Sequence, residues 1–136
     1  NHPLVERLRR ALGREAERLG LAYAVLYGSQ AYGRPGPLSD VDVLVEFEDR
    51  RLDLGRLAEL ASILEDAVGR RVEVVQASMA PPLLRYEAFT RGVTLYVRHK
   101  DMLIDDKVRS VLEWLDFKPI YERHARRLVK VYRDGD

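Results

Sequence analysis

The sequence predicts an α/β (α+β) protein: a small mixed sheet of about four strands, helices packed on it, and a helical tail. Three observations carry this expectation. Residues 3–19 and 53–68 place apolar side chains at helical spacing, while Asp40–Phe47 alternates apolar and polar with the period of a strand. Short apolar runs and helical segments follow one another along the chain in the order α-β-loop-β-α-β-α-β-α-α. Apart from Gly13 and Gly55, Gly and Pro fall at the ends of these segments or between them, as turn residues do.

In the first helix, Leu4, Leu8, Leu12 and Leu19, with Val5, Ala11 and Ala16, form the apolar stripe. Pro3 suits its first turn and Gly20 its end. Ala22–Tyr27 is a short apolar run, a strand. Gly28–Leu38 holds three Gly and two Pro and reads as loop, with a short turn of helix from Ser29. In the second strand Val41, Val43, Val45 and Phe47 share one face, and Asp40, Asp42, Leu44 and Glu46 share the other. The next helix buries Leu57, Leu60, Ala61, Leu64 and Val68, with Asp53 as N-cap and Gly69 as terminator. Arg71–Gln76 is a third strand, Pro81 and Pro82 open a helix that ends near Gly92, and Val93–Val97 is a fourth strand. Residues 101–116 are expected to pack through Leu103, Ile104, Val108, Val111, Leu112 and Leu115. Asp116–Pro119 is expected to break that helix, and Ile120–Arg133 to form a last one, with Tyr121, Ala125, Leu128 and Tyr132 along one side.

The 136 residues suit one domain, with a core at about 20–97 and the helical tail at about 101–133. Apolar residues make up 46% and charged residues 33%, with a net charge of +1. Acids and bases are interspersed, so no global field argues for a nucleic-acid or membrane partner. The absence of cysteine excludes a disulfide framework. No apolar run reaches the roughly 18 residues of a membrane span, and no signal peptide is visible, so a soluble cytoplasmic protein is expected. The chain starts at Asn1 without Met, which points to a trimmed start. Basic charge is carried by 19 Arg and only four Lys, a bias that suits either a thermophile or a GC-rich genome.

The two aspartates of the second strand carry the chemistry. Residues two apart on a strand point the same way, so Asp40 and Asp42 lie roughly 6.5–7 Å apart at the backbone. Close carboxylates repel and raise each other's pKa. A divalent cation removes that penalty, and Mg2+ characteristically uses one or two carboxylates together with substrate phosphates. Taken alone, the tripeptide reads more simply as two solvated acids at a strand edge. Gly28 and Ser29 end one strand and open a helical turn; such a start either cradles an anion with its backbone N–H groups or is an ordinary turn. Glu73 interrupts the apolar third strand, so it lies on an open edge or serves a site, where a carboxylate accepts the proton of an attacking hydroxyl. His2, His99 and His124 show no metal-ligand spacing. The basic face around His124, Arg123, Arg126 and Arg127 is either solvated or a docking surface, and carries too small an excess to signal nucleic acid. Trp114 and Tyr121 read as packing residues, and the tail helix leaves an oligomer interface open.

Gly28-Ser29, a ten-residue spacer from Gln30 to Ser39, Asp40-Val41-Asp42 and the later Glu73 together resemble the signature of the DNA polymerase β nucleotidyltransferase superfamily. The setting "YGSQAYG…SDVDVLVEF" is similar to the minimal nucleotidyltransferases (MNT), many of which are antitoxins paired with HEPN-domain ribonucleases. The resemblance covers about residues 20–97 and implies a mixed sheet bearing the acids. It implies further that Gly28, Ser29 and Arg34 bind the nucleotide, that Asp40, Asp42 and Glu73 ligate two Mg2+ ions, and that Glu73 helps deprotonate the acceptor. ATP or another nucleoside triphosphate is then the donor, and a tyrosine of a partner HEPN toxin the acceptor. A small-molecule hydroxyl, as in aminoglycoside modification, and a non-catalytic antitoxin are the alternatives. Two positions depart from the family pattern: Ala31-Tyr32-Gly33-Arg34 stands where these antitoxins often have Ala-Arg-Gly, and Glu73 stands where Asp is usual.

Overall fold

The computed structural model describes residues 3–32 and 40–134. The elements run α1 (Pro3–Leu19), β1 (Leu21–Tyr27), α2 (Ser29–Tyr32), β2 (Val41–Phe47), α3 (Leu54–Val68), β3 (Val72–Gln76), a 3-10 turn (Ala77–Met79), α4 (Pro82–Arg91), β4 (Val93–Val97) and α5 (Lys100–Asp134). The four strands form one mixed sheet in the order β3-β2-β1-β4. β1 is antiparallel to both β2 and β4, whereas β2 and β3 are parallel and joined through α3.

The sheet is covered on both faces, which is why the two central strands are apolar almost throughout. On one face, Val41, Val43, Val45 and Phe47 pack against Leu8, Leu12 and Ala16 of α1 and Leu57, Leu60 and Leu64 of α3. On the other, Tyr23, Val25, Tyr27 and Leu44 meet Ala88 and Phe89 of α4, with Met102 and Leu103 of α5 at the margin. A register shift between Leu21 and Tyr23 turns Ala22 and Tyr23 to the same side, as a bulge does, and the Ala22 carbonyl accepts from both Arg98 and His99 backbone N–H groups.

The caps of α3 agree with its sequence. The Asp53 side chain accepts the Arg56 N–H at 3.0 Å, and Gly69 takes the left-handed conformation at the other end. Arg56 then ties the layers together. Its guanidinium lies 3.9 Å over the Phe47 ring, pairs with Asp49 and Asp53, and donates to the Leu19 carbonyl at the end of α1.

The structure corrects the tail in two respects. The expected break at Asp116–Pro119 is absent: α5 is a single helix of 35 residues with Pro119 inside it. Proline removes one backbone donor at a cost of about 3 kcal/mol in a helix interior. Here the i−4 residue, Leu115, is 54% exposed, so water can reach the carbonyl left without a helical partner. Stacked rings also clamp the turn across the proline, with Trp114 5.9 Å from Phe117 and 5.5 Å from Tyr121.

The second correction is the buried face of α5. Asp106, Ser110 and Trp114 are buried, while Ile104, Val108, Leu112 and Leu115 are exposed. Only Leu103 of the expected stripe packs on the sheet-side cluster. The reason is the surface α5 lies on, which presents the Tyr23 hydroxyl and the Arg50 guanidinium, and Asp106 satisfies both. Hydrogen-bond satisfaction outweighed hydrophobicity in setting the helix's rotation.

Candidate active site

The register of β1, β2 and β3 builds the site. Tyr27 pairs with Asp42 across the antiparallel ladder, and Asp42 pairs with Glu73 across the parallel one. Gly28, which follows Tyr27, thus flanks Asp42 on one side and Glu73 flanks it on the other. Val41 and Val43, on the opposite face of β2, are fully buried and hold the strand rigidly. Asp40 sits one residue before β2 and is exposed, Asp42 is half-buried, and Glu73 is exposed on the edge strand β3.

Gly28 has a positive φ of 77°, a conformation glycine adopts without strain. A Cβ there would lie 2.5 Å from Asp42 Oδ2, so a side chain would collide with the carboxylate. The backbone therefore approaches Asp42 as closely as a chain can. Ser29 opens α2, and the Gly28 carbonyl accepts the Ala31 N–H at 3.0 Å to close the turn.

Electrostatics set Asp42 apart. Burial raises its pKa, and the Glu73 and Asp40 carboxylates raise it further. A half-buried carboxyl whose acidic neighbours disfavour its ionisation suits a hard divalent cation. Among the described residues, no three His, Asp or Glu side chains already converge into a metal cage. Arg34, the third nucleotide-binding expectation, lies outside the described residues.

A second polar cluster lies further along the same sheet face. Glu46 is wholly buried, accepting from the Phe47 and Ser78 backbone N–H groups at 3.0 Å and from the Gln76 amide at 2.7 Å. Beside it, Asp106 accepts from the Tyr23 hydroxyl at 2.6 Å and from two Arg50 nitrogens at 3.1 and 2.9 Å. Burial and the Asp106 carboxylate push the Tyr23 hydroxyl up, so it stays protonated and donates. Arg50 reaches this position from a left-handed backbone, φ 56°. A cavity of about 200 Å³ opens here, lined by Glu46, Arg50, Arg85, Asp106, Arg109 and Glu113 among others. Leu44, wholly buried, separates it from the Asp42 end. The sequence signal for this cluster was Asp106 and Ser110, polar residues four apart that a search for apolar periodicity passes over. His99 lies elsewhere, 3.3 Å from Glu48.

Comparison with known proteins agrees with this fold. Residues 15–101 match the family model for polymerase beta nucleotidyltransferases. No curated protein matches the sequence significantly. Among solved structures, the chain is similar to one of a toxin–antitoxin complex with AMP-PNP, with TM-score 0.75 and 20% identity over 89% of this chain and 98% of that one. It is similar also to a chain in the complex of a tri-AMPylated Shewanella oneidensis HEPN toxin with its MNT antitoxin, with TM-score 0.71 and 19% identity over 92% and 98%. A protein described as a minimal nucleotidyltransferase is 33% identical over 65% of this chain and 88% of its own, with TM-score 0.56.

Proposed function

The chain belongs to the polymerase β nucleotidyltransferase family, and from that premise we propose that it is an antitoxin that transfers AMP from ATP to a tyrosine of a partner HEPN ribonuclease. The observation that carries the reading is the cross-strand convergence of Gly28, Asp42 and Glu73, with Asp40 two residues away.

Asp40, Asp42 and Glu73 would hold Mg2+, and two such ions, when bound, supply positive charge that lets three carboxylates and a triphosphate share one place. The chain's own residues do the rest. The backbone N–H groups of Gly28 and Ser29, at the start of α2, are the donors assigned to phosphate oxygens. Arg34, five residues after Ser29 in sequence, is the cation assigned to the same phosphates. Glu73, exposed and without apolar cover, accepts the proton of the incoming hydroxyl. The acceptor oxygen forms its bond to the α-phosphorus as the bond to the bridging oxygen breaks, and pyrophosphate leaves. Glu73 is one methylene longer than the aspartate usual in the family, which favours slow turnover suited to a stoichiometric partner. The similarity to a chain complexed with an AMPylated toxin, spanning 98% of that chain, supports a protein acceptor over a small molecule.

Label transfer tests this. The protein is incubated with Mg2+ and α-phosphate-labelled ATP in lysate of its source, beside the Asp40→Asn/Asp42→Asn variant. A labelled protein band is expected, weaker by at least about a hundredfold in the variant. Equal labelling by the variant, or label found only on a small molecule, would overturn the reading. Neutralisation of the toxin by the variant at full strength would leave binding alone as the function.

A further inference from the structure

From Leu115 to Asp134 every residue of α5 except Ala125 is exposed, so the last 20 residues run about 30 Å without a layer to pack on. This stretch is not built for water. Trp114, Tyr121 and Leu128 stand seven residues apart, and Phe117, His124 and Val131 repeat the interval three positions later. Together they form a heptad seam that begins at buried Trp114 and continues the packing face of the helix outward. Phe117 and Tyr121 are 39% and 44% exposed, but Leu128, Val131 and Tyr132 reach 57%, 64% and 90%. A helix carrying an internal proline gains little stability alone in water. An exposed seam of this kind, apolar at every position but His124, marks an interaction surface.

The charge around the seam says what covers it. Residues 117–134 hold six basic side chains and two carboxylates. Among the described residues, the ion pairs there are Lys118–Glu122 and Arg133–Asp134, both at 3.8 Å, and none of the described carboxylates pairs with Arg123, Arg126, Arg127 or Lys130. Ile120, Arg123, His124 and Arg127 line a recess of about 170 Å³ along one flank of the seam. Ile120 gives it one apolar wall and Arg123 and Arg127 a basic rim, which suits a carboxylate on a short aliphatic stem. A second copy of this chain would bring the same basic flank against its like.

We infer that the overhanging half of α5 is a docking helix for a partner helix with an apolar seam flanked by Asp and Glu. The contact is of the helix-on-helix kind, with Tyr121 and Leu128 as anchors and Arg123 and Arg127 selecting acidic flanks. The inference deepens the protein-acceptor reading and rests on it only for what docking achieves. The N-terminal half of the same helix is fastened to the turn after β2 through Asp106 and Arg50, so a partner held here is held by the element that braces the catalytic strand.

The probe is a labelled synthetic heptad peptide with Leu at its seam and Glu on both flanks, compared with its Lys-flanked counterpart. Trp114 is the only tryptophan and lies at the root of the seam, so its emission reports docking together with the peptide's anisotropy. The Glu peptide is expected to bind and the Lys peptide not to. Arg123→Glu/Arg127→Glu should weaken the Glu peptide at least about tenfold and admit the Lys peptide, with an unchanged melting temperature. No binding of the Glu peptide, equal binding of both, or a dimer whose population rises with protein concentration would overturn the inference. So would tighter competition by single-stranded RNA or phosphatidylserine vesicles than by the Glu peptide. No nucleotide is needed: a chain that docks the peptide yet labels no protein sinks the transfer reading and leaves this one standing.

Discussion

Asp42 and Glu46 stand four residues apart on the same face of β2, yet their surroundings are opposite. Glu46 is sealed from water and its carboxylate is met by two backbone N–H groups and an amide. Asp42 keeps partial access to water and is met by the Glu73 and Asp40 carboxylates. One end of the strand spends its acid on holding β2, β3 and the 3-10 turn together. The other leaves an acid in a state the protein alone does not favour, which is what a site waiting for a cation and a phosphate requires. The difference teaches that burial of charge is not by itself a sign of function; the signs of the neighbours are.

That comparison breaks if either end behaves like the other. The largest stability effect is expected at the structural end. Asp106→Ala strands the buried Tyr23 hydroxyl and one face of Arg50, and should cost about 3 kcal/mol in urea denaturation. A loss under about 0.5 kcal/mol would show the network to be decorative. Tyr23→Phe removes one hydrogen bond and leaves the Arg50–Asp106 pair, so about 1 kcal/mol is expected from the same measurement.

The smallest effect has the opposite sign. A carboxyl whose folded pKa lies above its ordinary value contributes stability below that ordinary value, 3.8, and loses it as the pH rises through the folded one. At neutral pH the ionised Asp42 is therefore a burden. Asp42→Asn should raise the melting temperature by about 2 °C at pH 7 in chelator, a figure reduced for the side chain's partial exposure. The gain should shrink toward zero as the pH falls below about 4, where the wild-type carboxyl is itself neutral. A variant that melts lower than wild type at pH 7 would show Asp42 to be a stabilising residue like Glu46.

Much of this was written in the sequence, because local chemistry fixed it. Asp53 and Gly69 bounded α3 as their capping chemistry requires, and the alternation along β2 separated a core face from an acid-bearing face. The Gly28-Ser29 and Asp40-x-Asp42 spacing was legible as a family signature before any strand was paired. What the sequence left open was whether Gly28 and Glu73 come to Asp42, since that depends on which strands are neighbours and in what register. Only the β3-β2-β1-β4 order, with β1 antiparallel and β3 parallel to β2, places all three side by side. The tail shows the same division. Its helical spacing was readable, but the rotation of α5 was not, because a helix carrying two possible stripes turns whichever one its support can satisfy. The support here offered the Tyr23 hydroxyl and the Arg50 guanidinium, and a polar stripe with matching hydrogen bonds displaced an apolar one without them.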